Sequence, residues 1–579
     1  NGAGTLTIQS ASNSFSSVYT MPSLTFGSTL SGLTVGKTSN TSGITLGSNI
    51  GINGFIKVYG GSITQNAGVS VTSGGSNITY TAAGSGYTAS DDKVISIGAA
   101  SGSRAVINAG GGNISLSGSY GSTGTAGGFD YTVGVLTADI KTSGAGTISI
   151  TGDATNTTTT AGAYGVNLLN GALIQTETGA LNITGTGGKA SAYSRGVVAD
   201  TQALKLLSSS GAITIKDLSP TGLTGTYAGL YFKPSASANI YLGSDSSTVL
   251  SGTSTDSSSS ITIQADKASF VVNGSYKTNL VISGAVVVES AGGTPAGVGT
   301  VDATAMSVSG GASSVRIGKT TNTGDITLGA SIVAAGSITV DGGQINLNSS
   351  LQTTSLNADI TIRAKTNIAN TSLASLTTNG GNILLASNVD DATDSDNTTN
   401  GYIRLDYGLN AISNGGNITM GGGDLLGSGY AMGSSAEAQT HGVRFDRALT
   451  LNSGGGNIAI RGKSYARAVQ WGYGASGVGF YFLTSSGSID SGTGTLNIDG
   501  YSQTWGSNYS SGVYFYTQQP FTIKSANTTV DAIKLVGIAR GTTGGDVFGI
   551  EVDTSSPLNI YATGSGGGIS VLTSPQNAS

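Results

Sequence analysis

Gly454-Gly455-Gly456-Asn457-Ile458-Ala459-Ile460-Arg461-Gly462 is a tight glycine turn, an asparagine, and a short strand in which every second residue is apolar. Variants recur from end to end, among them Gly111-Gly112-Asn113-Ile114-Ser115-Leu116, Gly146-Thr147-Ile148-Ser149-Ile150, Gly179-Ala180-Leu181-Asn182-Ile183, Gly211-Ala212-Ile213-Thr214-Ile215 and Gly415-Gly416-Asn417-Ile418-Thr419-Met420. Alternation turns one face of each strand into a core and leaves the small polar residues outside. A strand this short cannot bury a core unaided. Its return at intervals of tens of residues therefore predicts stacked coils, a β-solenoid.

A second strand type begins Gly-Val or similar: Gly134-Val135, Gly165-Val166, Gly196-Val197 and Gly229-Leu230, then Gly442-Val443, Gly477-Val478, Gly512-Val513 and Gly549-Ile550. Neighbours in the first series are 31, 31 and 33 residues apart, and in the second 35, 35 and 37. A third apolar patch lies between the two strand types, as in Leu204-Lys205-Leu206 and Leu449-Thr450-Leu451. The expected fold is all-β, a right-handed parallel β-helix with three strands per coil and variable loops. The turn asparagines are expected to form hydrogen-bonded ladders along it.

The chain also repeats on a coarser scale. Gly36-Lys37-Thr38 through Leu46-Gly47 matches Gly318-Lys319-Thr320 through Leu328-Gly329 at an offset of 282 residues, and Ile78 matches Ile360. The match slips and recovers near Ile213 and Leu496. We read two near-duplicate β-helix modules, 1–285 and 286–579, with a seam near 283–299, stacked as one continuous rod.

Composition narrows the function classes. Charged residues are 9% of the chain and the net charge is −5, with no Lys/Arg cluster to track phosphates, so nucleic acid is not an expected partner. Cysteine is absent, which removes disulfides and thiol chemistry. No apolar run is long enough to span a bilayer. No signal peptide is visible, and Asn1-Gly2-Ala3-Gly4-Thr5-Leu6 already reads as repeat material, so the chain is expected to be a processed product or a fragment.

Four features invite a chemical reading. An aromatic residue usually precedes the Gly-Val strand (Tyr131, Tyr164, Tyr193, Tyr227, Tyr473, Tyr509 and Phe548), and His441, the only histidine, takes that place before Gly442. A corner ladder in which His441 replaces Tyr is the simple reading, and a general base the alternative. In the last third, period-two counting sends Phe480, Phe482 and Phe515 inward and Tyr481, Tyr514 and Tyr516 outward. With Trp471, Tyr473, Trp505 and Tyr509 these outward rings form a candidate binding patch for a glycan or protein, or else cover loops packed on the coil. Asp391, Asp394 and Asp396 supply alternate oxygens before Gly401, a calcium candidate whose plainer reading is a solvated loop; Gly421-Gly422-Gly423-Asp424 is a partial match to a calcium nonapeptide. Asn-x-Ser/Thr triplets at Asn77, Asn113 and Asn417 fall inside the repeat turn, so they follow from the repeat rather than marking glycosylation.

The Gly-Gly-Asn-Ile-x-Ile-x-Gly strands, the lack of cysteine and the Gly/Ser/Thr/Asn richness resemble the shafts of filamentous-haemagglutinin-like exoproteins and autotransporter passengers over nearly the whole chain. The resemblance implies a non-enzymatic fibre, secreted or on a Gram-negative cell surface, that adheres to a glycan or protein on a host or neighbouring cell. The alternative is a structural subunit that self-associates end to end into a filament or sheath. A β-helix carbohydrate-active enzyme is the third reading, disfavoured because carboxylates are few and scattered. No catalytic residue and no cofactor other than calcium is expected.

Overall fold

The computed structural model describes residues 4–577 except 28, 85–92, 121–129, 157–161, 190–193, 202, 221–228, 245–257, 292–298, 390–400, 435–439, 466–476, 485, 504–508 and 542–545. The chain divides into two compact units, residues 1–298 with 302–312, and residues 299–301 with 313–579. Both are all-β. Among the described residues no helix is long and apolar enough to cross a membrane.

In each unit the chain visits three parallel sheets in turn, which is the architecture of a parallel β-helix. In the N-terminal unit one coil runs through Ile114–Ser119, Asp130–Leu136 and Ala138–Lys141, and the next through Ile148–Asp153, Ala163–Leu169 and Leu173–Thr176. Ile114 pairs with Ile148, Val133 with Val166 and Ile140 with Ile174. In the C-terminal unit Ile458–Lys463, Phe480–Thr484 and Gly487–Asp490 are followed by Leu496–Ser502, Tyr509–Thr517 and Phe521–Ser525, with Ile458 against Leu496, Phe480 against Val513 and Ile489 against Ile523. The Gly-Asn-Ile strands make the first sheet, the Gly-Val strands the second, and the third patch the third.

Stacking in register turns the alternation of a single strand into a ladder. Ile78, Ile114, Ile148, Leu181 and Ile213 succeed one another along the first sheet, and all are buried. Each contributes about 1.5–3 kcal/mol relative to an exposed side chain. Outside the turns, asparagines form the expected ladder: Asn382, Asn417 and Asn457 each accept a backbone N–H from the following coil through Oδ1, from Asn417 at 2.9 Å, Asn457 at 2.8 Å and Thr495 at 2.8 Å. Asn77 does the same for Asn113 at 2.9 Å. The side chain thus pairs with backbone rather than with another amide.

Two members of the Gly-Val series are corrected. Val133, not Val135, is the partner of Val166, and Phe480, not Val478, stands between Val443 and Val513. Gly134 and Gly477 are therefore displaced by two residues from the coil position assigned to them. A slip of two leaves every side chain on its face, so the apolar pattern cannot detect it. Backbone register can.

Coil lengths account for the slipping internal repeat. Leu33, Ile56, Ile78 and Ile114 pair in succession at separations of 23, 22 and 36 residues. Val315, Ile338, Ile360 and Ile383 do so at 23, 22 and 23. The extra length between Ile78 and Ile114 breaks the constant offset while the coil order is kept.

The last glycine of the long motif has a steric cause. A Cβ on Gly152 would stand 2.0 Å from the carbonyl oxygen of Gly165, on Gly185 1.9 Å from that of Gly196, on Gly462 2.1 Å from that of Gly479, and on Gly500 2.1 Å from that of Gly512. At this corner the end of a first-sheet strand meets the start of a second-sheet strand backbone to backbone. In sequence, the segments between these paired glycines differ in length. Asp217 takes the register position after Gly185, and its carboxylate accepts the N–H of Val197 at 2.9 Å.

A second corner is held by buried hydroxyls. Thr378, Ser413, Ser453 and Ser491 each donate to the carbonyl three residues ahead, on Gly381 at 2.6 Å, Gly416 at 2.5 Å, Gly456 at 2.5 Å and Gly494 at 2.8 Å. The next coil's carbonyl lies within reach of the same hydroxyl, 3.0 Å for Thr378 to Ser413 and for Ser453 to Ser491. Deeper inside, the Tyr80 hydroxyl donates to Gln65 Oε1 at 3.0 Å, while the Gln65 amide donates to the carbonyls of Val69 and Val106, both at 2.9 Å. The buried polar pair is satisfied within the core.

Gly152→Ala is expected to destabilise the chain by about 3 kcal/mol or more, because backbone cannot move aside. Gly47→Ala, whose Cβ would find Asn66 Nδ2 at 3.6 Å, is the matched control and should be nearly neutral. Ser453→Ala should cost about 1–2 kcal/mol by leaving the Gly456 carbonyl without its donor. Urea denaturation of the three variants followed by circular dichroism measures each effect.

Candidate functional site

On the second sheet of the C-terminal unit the strands alternate strictly: Phe445, Phe480, Phe482 and Phe515 are fully buried, and the residues between them face out. The inward rings form a tight set, with Phe482 and Phe521 centroids 4.2 Å apart and Phe480 and Phe515 5.7 Å apart. The outward residues stack as the inward ones do. One row runs Arg404, Arg444, Tyr481, Tyr514, Glu551, and beside it Leu483, Tyr516 and Asp553 stand in register. Asp406 and Asp446, the residues after Leu405 and Phe445, continue the second row.

Like charges thus fall on like at the coil spacing, and each pair is neutralised within its own coil. Arg404 reaches Asp406 at 2.6 Å. Arg444 forks onto both oxygens of Asp446 at 2.6 Å and lies 3.8 Å from Asp406. Burial pushes the Asp446 carboxyl above the usual carboxylate range, with Arg444 pulling down and Asp406 pushing up. Burial works against the Arg444 charge, which Asp446 and Asp406 more than restore.

The rings of this face are packed against one another. His441 stacks on Tyr481 at 4.6 Å and 18°, Tyr481 meets Tyr514 at 5.3 Å and 36°, and Tyr514 meets Tyr516 at 6.5 Å. The Arg444 guanidinium stands 5.3 Å from the Tyr481 ring centre. Tyr481 is thus packed by His441 of the preceding coil and Tyr514 of the following one. Its outward direction follows from period two; its engagement comes from the stacking.

His441 is 6% exposed, and its Nδ1 accepts the Val478 N–H at 3.3 Å. Burial first, then the charges of Arg444 and Arg404, hold its pKa down to about 3. The imidazole is neutral at ordinary pH and serves as a flat packing element. Its stacking partner is Tyr481 of the outward row, rather than a tyrosine of a corner ladder. In the N-terminal unit that corner row is Lys93, Tyr131, Tyr164, Arg195 in register, so a cation, not Tyr193, follows Tyr164.

Of the other residues singled out from sequence, Tyr509 lies in the strand Tyr509–Thr517, opposite Asp546. Trp471, Tyr473, Trp505, Tyr193 and Tyr227 lie outside the described residues, as do Asp391, Asp394 and Asp396. Among the described residues no group of three or more His, Asp or Glu side chains is placed to hold a metal ion. Asp424 caps its own loop, accepting the N–H groups of Leu426 and Ser428, both at 2.9 Å. Burial raises its pKa, and these donors with the Ser428 hydroxyl bring it below the ordinary value. The arginine–aspartate pairs of the outward rows escaped the sequence reading; the signal was Arg-x-Asp in Ile403-Arg404-Leu405-Asp406 and Val443-Arg444-Phe445-Asp446.

The low pKa of His441 sets a pH dependence. Below the ordinary value of 6.5 the unfolded chain binds a proton that the folded chain refuses until pH falls to about 3, so stability present above 6.5 is lost as pH falls. This term removes about 2 kcal/mol between pH 7 and pH 5. In His441→Phe, urea midpoints at the two pH values should lie closer together than in the parent chain.

In comparisons with known proteins, no family model, no protein of curated function and no solved structure matches the chain.

Proposed function

We propose that this chain is a non-enzymatic bacterial fibre protein, secreted or on the cell surface, whose β-helix displays side chains and inserted segments for adhesion to a glycan or protein on another cell. The observation that carries the reading is the placement of variation. Within each unit the repeat keeps its inward ladders and glycine corners, while inserted segments differ in length between paired glycines such as Gly152 and Gly165 or Gly462 and Gly479. Variation presented repeatedly from one corner of a rigid scaffold suits recognition. Beside that corner in the C-terminal unit lies the Tyr481, Tyr514 and Tyr516 face, and Trp471 and Trp505 belong to the inserted segments. The carboxylates Asp406 and Asp446 and the imidazole of His441 have pairing and packing roles on this face, which supports binding over acid–base chemistry.

The test is binding of the purified chain to glycan arrays and to intact cells, with electron microscopy across a concentration series. Saturable binding is expected, reduced about tenfold or more in Trp471→Ala and Trp505→Ala while the circular dichroism spectrum is unchanged. Failure to bind any glycan or cell overturns the adhesive reading, and long filaments growing with concentration would establish the end-to-end polymer in its place.

A further inference from the structure

Asn-Gly occurs seven times in the chain, and the structure separates these pairs by what holds the glycine N–H. The chemistry at stake is internal. A side-chain amide can be attacked by the backbone nitrogen of the residue that follows it, and glycine, which has no Cβ, leaves that approach open. The attack needs the nitrogen released from any hydrogen bond of its own.

Three pairs make a direct comparison. Asn273, Asn379 and Asn414 each donate through Nδ2 to a carbonyl of the coil before, that of Pro234 at 3.2 Å, Thr354 at 3.0 Å and Thr378 at 2.6 Å. Their side chains are tethered alike, and their glycines are not. Gly380 donates to the Ser413 carbonyl at 2.9 Å and Gly415 to that of Ser453 at 2.5 Å, so both nitrogens belong to the ladder between coils. Gly274 lies instead in an exposed turn of the N-terminal unit, between the strands Lys267–Phe270 and Thr278–Val281. Its N–H has no acceptor among the described residues. Asn273 and Tyr276 close the turn, each donating its N–H to the other's carbonyl, at 3.4 and 3.2 Å. A Cβ on Gly274 would meet nothing within 4 Å, so the space around it is open.

We infer that Asn273 is a site of spontaneous deamidation, and the fastest of these three. Hydroxide takes the Gly274 N–H proton, and the nitrogen bonds to Asn273 Cγ. The bond from Cγ to the side-chain nitrogen breaks, and that nitrogen leaves with a proton as ammonia. Water then opens the succinimide at either carbonyl, which leaves aspartate or isoaspartate, with no change of oxidation state. The product carries a negative charge and no donor, so the bond to the Pro234 carbonyl is lost and the turn is untied from the coil before it. The inference does not depend on the adhesive reading.

Incubation of the purified whole chain at mildly alkaline pH, followed by peptide mapping with mass spectrometry and enzymatic methyl labelling of isoaspartate, tests it. Conversion at Asn273 is expected to be at least about tenfold faster than at Asn379 or Asn414, because a ladder amide reacts only after its coil opens locally. In denaturing urea the three rates should converge, since the difference lies in the fold. Gly274→Asp suits the left-handed φ of +62° and sets a Cβ beside the nitrogen. It should slow conversion at Asn273 while the circular dichroism spectrum is unchanged. Equal rates at the three sites of the folded chain, the same ranking in urea, or undiminished conversion in Gly274→Asp overturns the inference.

Discussion

In-register stacking of parallel strands, about 4.8 Å apart, is the constraint from which the other features of each unit follow. A strand of five or six residues gains its hydrogen bonds only from the coils before and after it. Every residue therefore meets its counterpart one coil away at nearly touching distance. Isoleucine on isoleucine is favourable under that rule, and so are asparagine and serine ladders, which pass hydrogen bonds from coil to coil. A charge on a like charge is not, unless a partner of opposite sign is supplied within the same coil.

The outward face of the C-terminal unit obeys the same rule with more demanding side chains. Arg404 above Arg444 and Asp406 above Asp446 would repel if each column stood alone. Arranged as two adjacent columns they become two ion pairs, one per coil. The rings of His441, Tyr481 and Tyr514 stack because the register places them in neighbouring coils, at the separation aromatic pairs favour. A solitary histidine, which in an unfamiliar sequence invites a catalytic role, is thereby held neutral as part of a packed column. Repetition gives such a surface order, and departures from repetition vary it: Glu551 follows two tyrosines in the row, and segments of unequal length separate the paired glycines.

Much of the candidate face was legible beforehand. Counting by twos from Val513 places Phe515 inside and Tyr514 and Tyr516 outside, because a strand has no other choice once one residue is assigned. What the counting could not supply was which residue of one coil lies over which residue of the next. Tyr481 and Tyr514 are 33 residues apart and Arg444 and Tyr481 are 37 apart, so no fixed interval announces the column. The neutralised Arg-x-Asp pairs were missed for the same reason. Read within one strand they are two exposed charges; read across coils they are a network.

The sequence by itself determined the all-β solenoid, its three strands per coil, the alternation that turns Phe480, Phe482 and Phe515 inward, and the asparagine ladder. These depend on periodicity, a local property that each strand declares on its own. Only the tertiary structure decided the register, and with it the two-residue displacement at Gly134 and Gly477, the glycine corner where two backbones leave no room for a Cβ, and the stacking of His441 on Tyr481. Those features depend on segments of unequal length returning to the same place. Shifting a strand by two keeps its apolar pattern intact, so the choice among such registers rests on close packing between coils, which no single strand encodes.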